Sequence, residues 1–313
     1  MLKYLVILLD DTSTSYCHFT NNKDVPSPMP IDILKAGILF AMKNDLKIQY
    51  VLPKYKLPNE YIDLMRTMYH NNIGPLEMEH ISDVVVVERI DDLVGLCPTP
   101  SKRYIVRTTV NEFINKYTLL GDILISNISI NIVFVDVENF TNDNIEIYRD
   151  ILSKLCCTIE TQLINGVNIN TNLITDIIAL QEMNSCGAGD TSITLVPNGD
   201  MYPCPAFYYD NNFYYKIGNI KGIIEIKDKK LYTLNGAPLC KSCDAFHCKR
   251  CVWLNKKLTC EVNIPSRQQC VMSHIEREAG KNLLARLHAR GILLNRKIKD
   301  IDYLDPFDKY NKL

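Results

Sequence analysis

The sequence predicts a parallel α/β domain, open or partly closed as a barrel, followed by a cysteine-rich metal-binding region. Three observations carry this expectation. Strand and helix signals alternate through roughly the first 180 residues, as they do where parallel strands are joined by covering helices. From residue 186 onward that helical periodicity gives way to short strands and turns. Eight of the twelve cysteines (Cys186, Cys204, Cys240, Cys243, Cys248, Cys251, Cys260 and Cys270) lie between residues 186 and 270, where even spacing would put about three.

The elements follow in order. Tyr4–Leu9 reads as a buried strand. Ile31–Lys43 reads as a helix with Ile31, Leu34, Ile38 and Met42 on one face, and Pro28 and Pro30 near its start. Lys47–Leu52 is a second strand, stopped by Pro53, and Glu60–Tyr69 a second helix. Four consecutive valines in Asp83–Glu88 fit a strand buried on both faces. Arg103–Thr108 is a strand and Val110–Thr118 a helix. Ile130–Val137 is a strand, and a long helix covers Asn144–Leu163. A further strand is expected near Asn172–Ile177. Thr191–Val196 and Asp200–Tyr202 flank Pro197-Asn198-Gly199, a hairpin signal. Short strands follow near Phe213–Ile217 and Ile223–Ile226, and then a cysteine-rich loop, 240–270. A terminal helix spans Arg267–Arg290. Ser266 is its N-cap with Gln269 three residues on, and Gly291 closes its C-terminus. Its apolar stripe is Val271, Ile275, Ala279, Leu283 and Leu287. The implied division is residues 1–180, 181–270 and 271–313.

With 47% hydrophobic and 23% charged residues, the 313-residue chain is not a disordered one. A net charge of −1 argues against broad attraction to nucleic acid or membrane surfaces. The apolar start meets Asp10 and Asp11 and lacks a cleavage site, and no apolar run is long enough to span a membrane. A cytoplasmic protein is therefore expected. There structural disulfides rarely persist, and a dense cysteine cluster reads as metal-binding. Cys97, Cys156 and Cys157 read as ordinary buried thiols. The loop after the first strand concentrates chemistry on the functional face of such a sheet: Asp10, Asp11, Cys17 and His18 are catalytic candidates.

Two segments carry the metal argument. A hairpin turning at Gly199 brings Cys186 and Cys204 together, with glycine supplying the positive φ. In Cys240-x-x-Cys243 and Cys248-x-x-Cys251, each pair bends the chain so that two sulfurs converge. Eight thiolates suffice for two four-cysteine sites. Spacing alone leaves zinc and iron–sulfur clusters both open.

The run Cys186-Gly-Ala-Gly, followed by Val196-Pro-Asn-Gly-Asp-Met-Tyr-Pro-Cys204-Pro, resembles the opening of a SPASM domain. That domain is the auxiliary-cluster region of radical SAM peptide-modifying enzymes. The first half fits the family pattern; in the quartet from Cys240 to Cys251, two spacings are each one residue shorter. The resemblance implies a first cluster on Cys186, Cys204 and Cys251. It implies a second on Cys240, Cys243, Cys248 and Cys270, with Cys260 as the alternative to Cys270. One or two 4Fe–4S clusters are thus implied, with zinc as the other possibility. More widely, the chain resembles the CXXX repeat peptide maturases. The likeness rests on Asp11-Thr-Ser-Thr-Ser-Tyr-Cys17-His18, on Cys248-Lys-Arg-Cys251-Val-Trp-Leu-Asn255, and on Pro265-Ser-Arg-Gln-Gln-Cys270-Val-Met-Ser-His274-Ile-Glu-Arg277. It implies a partial radical-SAM-like barrel and a SPASM-like α+β domain ahead of the terminal helix. It also implies a cysteine-rich precursor peptide as partner, with a companion modification protein as a further one.

Radical SAM enzymes carry three closely spaced cysteines in the loop after the first strand. Here Cys17 stands alone, so S-adenosylmethionine is not supported. With three ligands assigned to the first cluster, capture of a substrate thiolate there is one expected mechanism. The rival is a non-catalytic, metal-stapled peptide-binding or docking module; an electron-transfer partner is a third possibility. His274 and His247 are further ligand candidates. Trp253 and Tyr202 are expected to cover the metal sites. Arg277, Lys281, Arg286 and Arg290 form either a leader-peptide surface or a solvated helix face.

Overall fold

A computed structural model describes residues 1–124, 128–292 and 294–311. The strands are β1 (Tyr4–Leu8), β2 (Lys47–Val51), β3 (His70–Pro75), β4 (Val84–Val87), β5 (Arg103–Thr108), β6 (Ser129–Phe134), β7 (Asn170–Thr171), β8 (Ser192–Leu195), β9 (Asp200–Tyr202) and β10 (Gly218–Asn219). The helices are α1 (Ile31–Lys43), α2 (Asn59–Met65), α3 (Val110–Ile123), α4 (Asn144–Ile164), α5 (Thr175–Ala179), α6 (Pro205–Tyr209), α7 (Val252–Thr259), α8 (Arg267–Ala289) and α9 (Pro306–Asn311). All ten strands form one sheet in the order β10-β9-β8-β1-β2-β3-β4-β5-β6-β7. β1 to β8 run parallel to their neighbours, while β9 and β10 are antiparallel additions. The cysteine-bearing hairpin β8–β9 therefore extends the same sheet, through β1.

Side chains on β1 alternate between two buried faces, as strand geometry requires. Leu5, Ile7 and Leu9 pack with Ile33, Leu34, Ile38 and Ala41 of α1. Val6 and Leu8 join a larger cluster that runs beneath the cysteine-rich region and includes Phe19, Tyr202, Cys251, Trp253, Val271 and Ile275. The bounds of α1 are as expected, but its inward face differs: Met42 is exposed, and Ile33 and Ala41 take the core.

Several elements depart from expectation. The second helix ends at Met65, and β3 follows. The β3 sequence His70-Asn-Asn-Ile-Gly-Pro75 has weak strand propensity and is held by pairing on both sides with β2 and β4. Residues 172–177 form no strand. Thr175 Oγ1 instead accepts a hydrogen bond from Thr171 N at 2.7 Å, and α5 forms there. Leu173, Ile174 and Ile177 are buried in either reading, so a short apolar run could not decide between strand and helix. The two short strands expected after the hairpin reduce to a 3-10 turn at Phe213–Tyr215, β10, and a single bridge between Gly218 and Ile224. α6 and α7 arise inside the region read as strand and loop. Cys97 and Cys157 are exposed; only Cys156 of that trio is buried. Cys157 shares α4 with Cys156, and consecutive helical residues face different ways.

Candidate metal centre

The β1 loop is built as a rigid mount. Ser13 Oγ and Thr14 Oγ1 donate to the carbonyls of Val51 and Leu52 at 2.9 and 2.8 Å, binding the loop to the end of β2. Asn21 Nδ2 donates to the carbonyls of Asp11 and Ser13, each at 2.9 Å. Arg107, at the carboxyl end of β5 and only 4% exposed, donates from Nε to the Cys17 carbonyl at 3.1 Å. Its Nη2 donates to the Phe19 carbonyl at 2.6 Å, and its Nη1 pairs with Glu88. His18 Nδ1 meets the Phe134 carbonyl at 2.7 Å. Since a carbonyl only accepts, Nδ1 is the donor in this contact.

This mount sets Cys17 beside the cysteines of the second half of the chain. The donor atoms of Cys17, His18 and Cys251 all lie within 4.8 Å of one another. A hydrogen bond between Cys17 and Cys251 is the largest influence on both thiols, lowering the pKa of Cys17 and raising that of Cys251. Exposed Cys186 lines the same cavity and half-buried Cys204 lies near it, both outside that close set. Desolvation of the sulfur raises the pKa of each, and so does the charge of Cys17; the Cys186 charge adds to the shift at Cys204. Tyr16 lies against the same group. Burial raises its pKa first, and then the charges of Cys204, Cys17 and Cys186. Cys251 is also the N-cap of α7, its Sγ accepting from Leu254 N at 3.4 Å. A helix N-terminus favours a thiolate at that place. Gly199 turns the hairpin at φ 85°, and a Cβ there would stand 3.1 Å from Ile33 Cδ1.

A second group of thiols sits next to the first. Cys240, Cys243, Cys248 and Cys270 line one cavity of about 60 Å³. Burial is the first cause of a raised pKa at each, to about 12 at Cys240 and about 11 at Cys243. His274 Nε2 lies 3.8 Å from Cys243 Sγ, and burial lowers its pKa to about 4. Cys260 is exposed and lines a different cleft, with Tyr214, Lys256 and Val262. All twelve cysteines are free thiols. Neighbouring thiols that repel one another as thiolates, with no disulfide between them, fit a set of ligands whose charge a metal centre would neutralise.

A cavity of about 260 Å³ joins the two groups to the sheet. Cys17, His18, Cys186 and Cys251 line it from the first group and Cys248 from the second; Val133 and Phe134 of β6 form its floor. Asp10 and Asp11 are not among its walls. Asp10 accepts from Thr12 and from Tyr55 Oη at 2.7 Å; Asp11 pairs with Lys23 at 3.3 Å and with Tyr208. The terminal helix spends its cations internally. Arg277 makes a two-toothed contact with Asp244 at 2.6 and 2.8 Å, Lys281 pairs with Asp300, and Arg286 and Arg290 pair with Glu160. Trp253 and Tyr202 are buried, and Trp253 Nε1 donates to Asp210.

Sequence reading did not single out Arg107, nor the buried chain in which Tyr148 and His247 contact Glu276 at 2.6 and 3.0 Å. A charged residue inside a strand with two buried faces was the available signal for Arg107.

The sheet and its helices have the fold of radical SAM/SPASM enzymes. anSMEcpe with bound AdoMet superposes with a TM-score of 0.57 at 14% identity, covering 93% of this chain and 100% of that chain. Native anSMEcpe with bound AdoMet and Kp18Cys peptide gives 0.55 at 14% identity, covering 91% and 99%. Streptococcus suis SuiB bound to the precursor peptide SuiA gives 0.46 at 16% identity, covering 86% and 76%. Residues 186–251 match the SPASM family, an iron-sulfur cluster-binding domain. No curated protein matches the chain. Among the described residues no helix is long and apolar enough to cross a membrane.

Proposed function

We propose that the chain takes part in maturing a ribosomally synthesised, cysteine-rich peptide of the Cys-x-x-x repeat kind, with iron–sulfur clusters held beside the bound peptide. The observation that carries this reading is the cavity of about 260 Å³, whose walls include cysteines from both thiol groups. In this reading residues 1–180 are the scaffold, 181–270 the cluster domain and 271–313 the helical tail. Cys240, Cys243, Cys248 and Cys270 would hold the second cluster; Cys186, Cys204 and Cys251 would belong to the first. Such clusters, when bound, supply electron transfer and iron that takes up thiolates. The chain's own residues supply the rest. Tyr16, Phe134 and Met272 give the cavity apolar walls that exclude water, while His18, His247 and Glu276 give it polar points that orient a peptide. The bound Kp18Cys peptide in the anSMEcpe structure supports peptide as the substrate class. Cleavage of S-adenosylmethionine is not part of the reading, because Cys17 is the single cysteine in the first 90 residues.

A second reading, a peptide-binding or docking module without catalysis, draws on Asp10 and Asp11, whose carboxylates are engaged in fixing the loop. The test is to mix anaerobically purified protein with a synthetic Cys-x-x-x repeat peptide. A mass change in the peptide supports maturation. A shift in the visible spectrum with unchanged mass supports the binding module, and neither change removes both.

A further inference from the structure

We propose that Cys17, from the loop after β1, is the fourth protein ligand of the first metal centre, with Cys186, Cys204 and Cys251. The inference rests on the reading of these thiols as a cluster site and adds the ligand that the sequence pattern lacks. Three observations support it. First, the donor atoms of Cys17 and Cys251 lie within 4.8 Å of each other, with His18 in the same group. Thiolates on one tetrahedral ion with bonds of about 2.3 Å stand about 3.8 Å apart, so a separation within 4.8 Å is in reach of one metal centre. The adjoining cavity gives the side chains room to spread over a larger cluster. Second, Cys17 lines the same cavity of about 260 Å³ as Cys186 and Cys251. Third, the loop's polar groups fix Cys17 in place. Arg107 donates to its carbonyl and to that of Phe19. Metal sites are held by such outer hydrogen bonds to their ligands.

On ligation the Cys17 thiol loses its proton to solvent and its sulfur donates an electron pair to the metal; nothing is oxidised or reduced. The first centre then has four cysteine ligands, and no coordination position is left for a substrate thiolate. A substrate thiolate would sit in the cavity beside the centre or displace Cys17.

The experiment compares anaerobically purified wild type with Cys17→Ala, Cys17→Ser, His18→Gln and, as a surface control, Cys97→Ser. Iron, zinc and acid-labile sulfide per chain are measured, with the EPR spectrum in oxidised and reduced states and circular dichroism for fold. The expected result is that Cys17→Ala loses between a quarter and all of the metal at one of two centres. Cys17→Ser changes the EPR of that centre alone. His18→Gln and Cys97→Ser match wild type. Folded Cys17 variants with full metal and unchanged EPR overturn the proposal. A loss produced by His18→Gln instead transfers the role to His18 and also overturns it, as does unfolding of both Cys17 variants, which would assign the side chain to packing. Wild-type protein with no metal at all sinks the cluster reading itself, a separate result from the failure of Cys17 alone.

Discussion

Replacing Arg107 by alanine tests whether the β1 loop is a mount for Cys17. The guanidinium donates to the carbonyls of Cys17 and Phe19 at 3.1 and 2.6 Å, and to Thr20 Oγ1 at 3.2 Å. Arg107 is 4% exposed, so water does not readily replace those donors. Each buried carbonyl left without a partner costs about 1–3 kcal/mol, and the two together about 2–6 kcal/mol. The Glu88 partner contributes little, because its side chain is 35% exposed and solvent recovers it. A loss of roughly 3–5 kcal/mol follows. At about 2 °C per kcal/mol for a chain of this size, the apparent Tm falls by roughly 6–10 °C. Arg107→Lys, with one compact head, can meet about one of the two carbonyls and should lose about half as much. Scanning calorimetry at a fixed scan rate reads the shift, and iron content read alongside should fall at the first centre only. A Tm within about 2 °C of wild type, with full iron, would refute the mount.

Four further outcomes follow from the packing. Gly280→Ala on α8 should destabilise by about 1–2 kcal/mol despite alanine's helix propensity, because a Cβ would stand 2.9 Å from Ile177 Cβ, an atom that cannot swing away. The same change at Gly121 on α3 meets only Leu155 Cδ2 at 3.9 Å and should stabilise by about 1 kcal/mol; urea melts of the two read the opposite signs. Arg277→Ala strands the Asp244 carboxylate, whose side chain is 14% exposed, and should cost about 3–5 kcal/mol, with part recovered in the Arg277→Ala/Asp244→Ala double variant. Cys260 is the left-handed C-cap of α7 at φ 62°, so Cys260→Gly should raise stability by about 1 kcal/mol and leave iron unchanged. Iron loss in that variant would return Cys260 to the ligand set.

The strands of the first half were legible because their apolar runs are bounded by turns and proline, and because parallel strands buried on both faces carry valine and isoleucine runs. β3 was not, because His70-Asn-Asn-Ile-Gly-Pro75 takes its strand form from its neighbours and not from its own propensities. α7 was hidden because its N-cap is Cys251, a residue that reads as a ligand, while Ser266 announced α8 and does accept from Gln269 N at 3.2 Å. The resemblance to the SPASM pattern implied Cys186, Cys204 and Cys251 as one set. It could not point to Cys17, which is 169 residues before Cys186 in the chain and is placed by the long-range contacts of its loop with Arg107 of β5 and Phe134 of β6. Arg107 went unremarked for a similar reason: the loop groups it holds lie 87 to 90 residues away.

The most direct measurement is the metal and sulfide content of protein purified without oxygen, taken with its visible spectrum. The account predicts a brown protein with about eight iron and about eight sulfide per chain, two cubane clusters on two groups of four cysteines. Zinc without sulfide, or a colourless protein without metal, would contradict it.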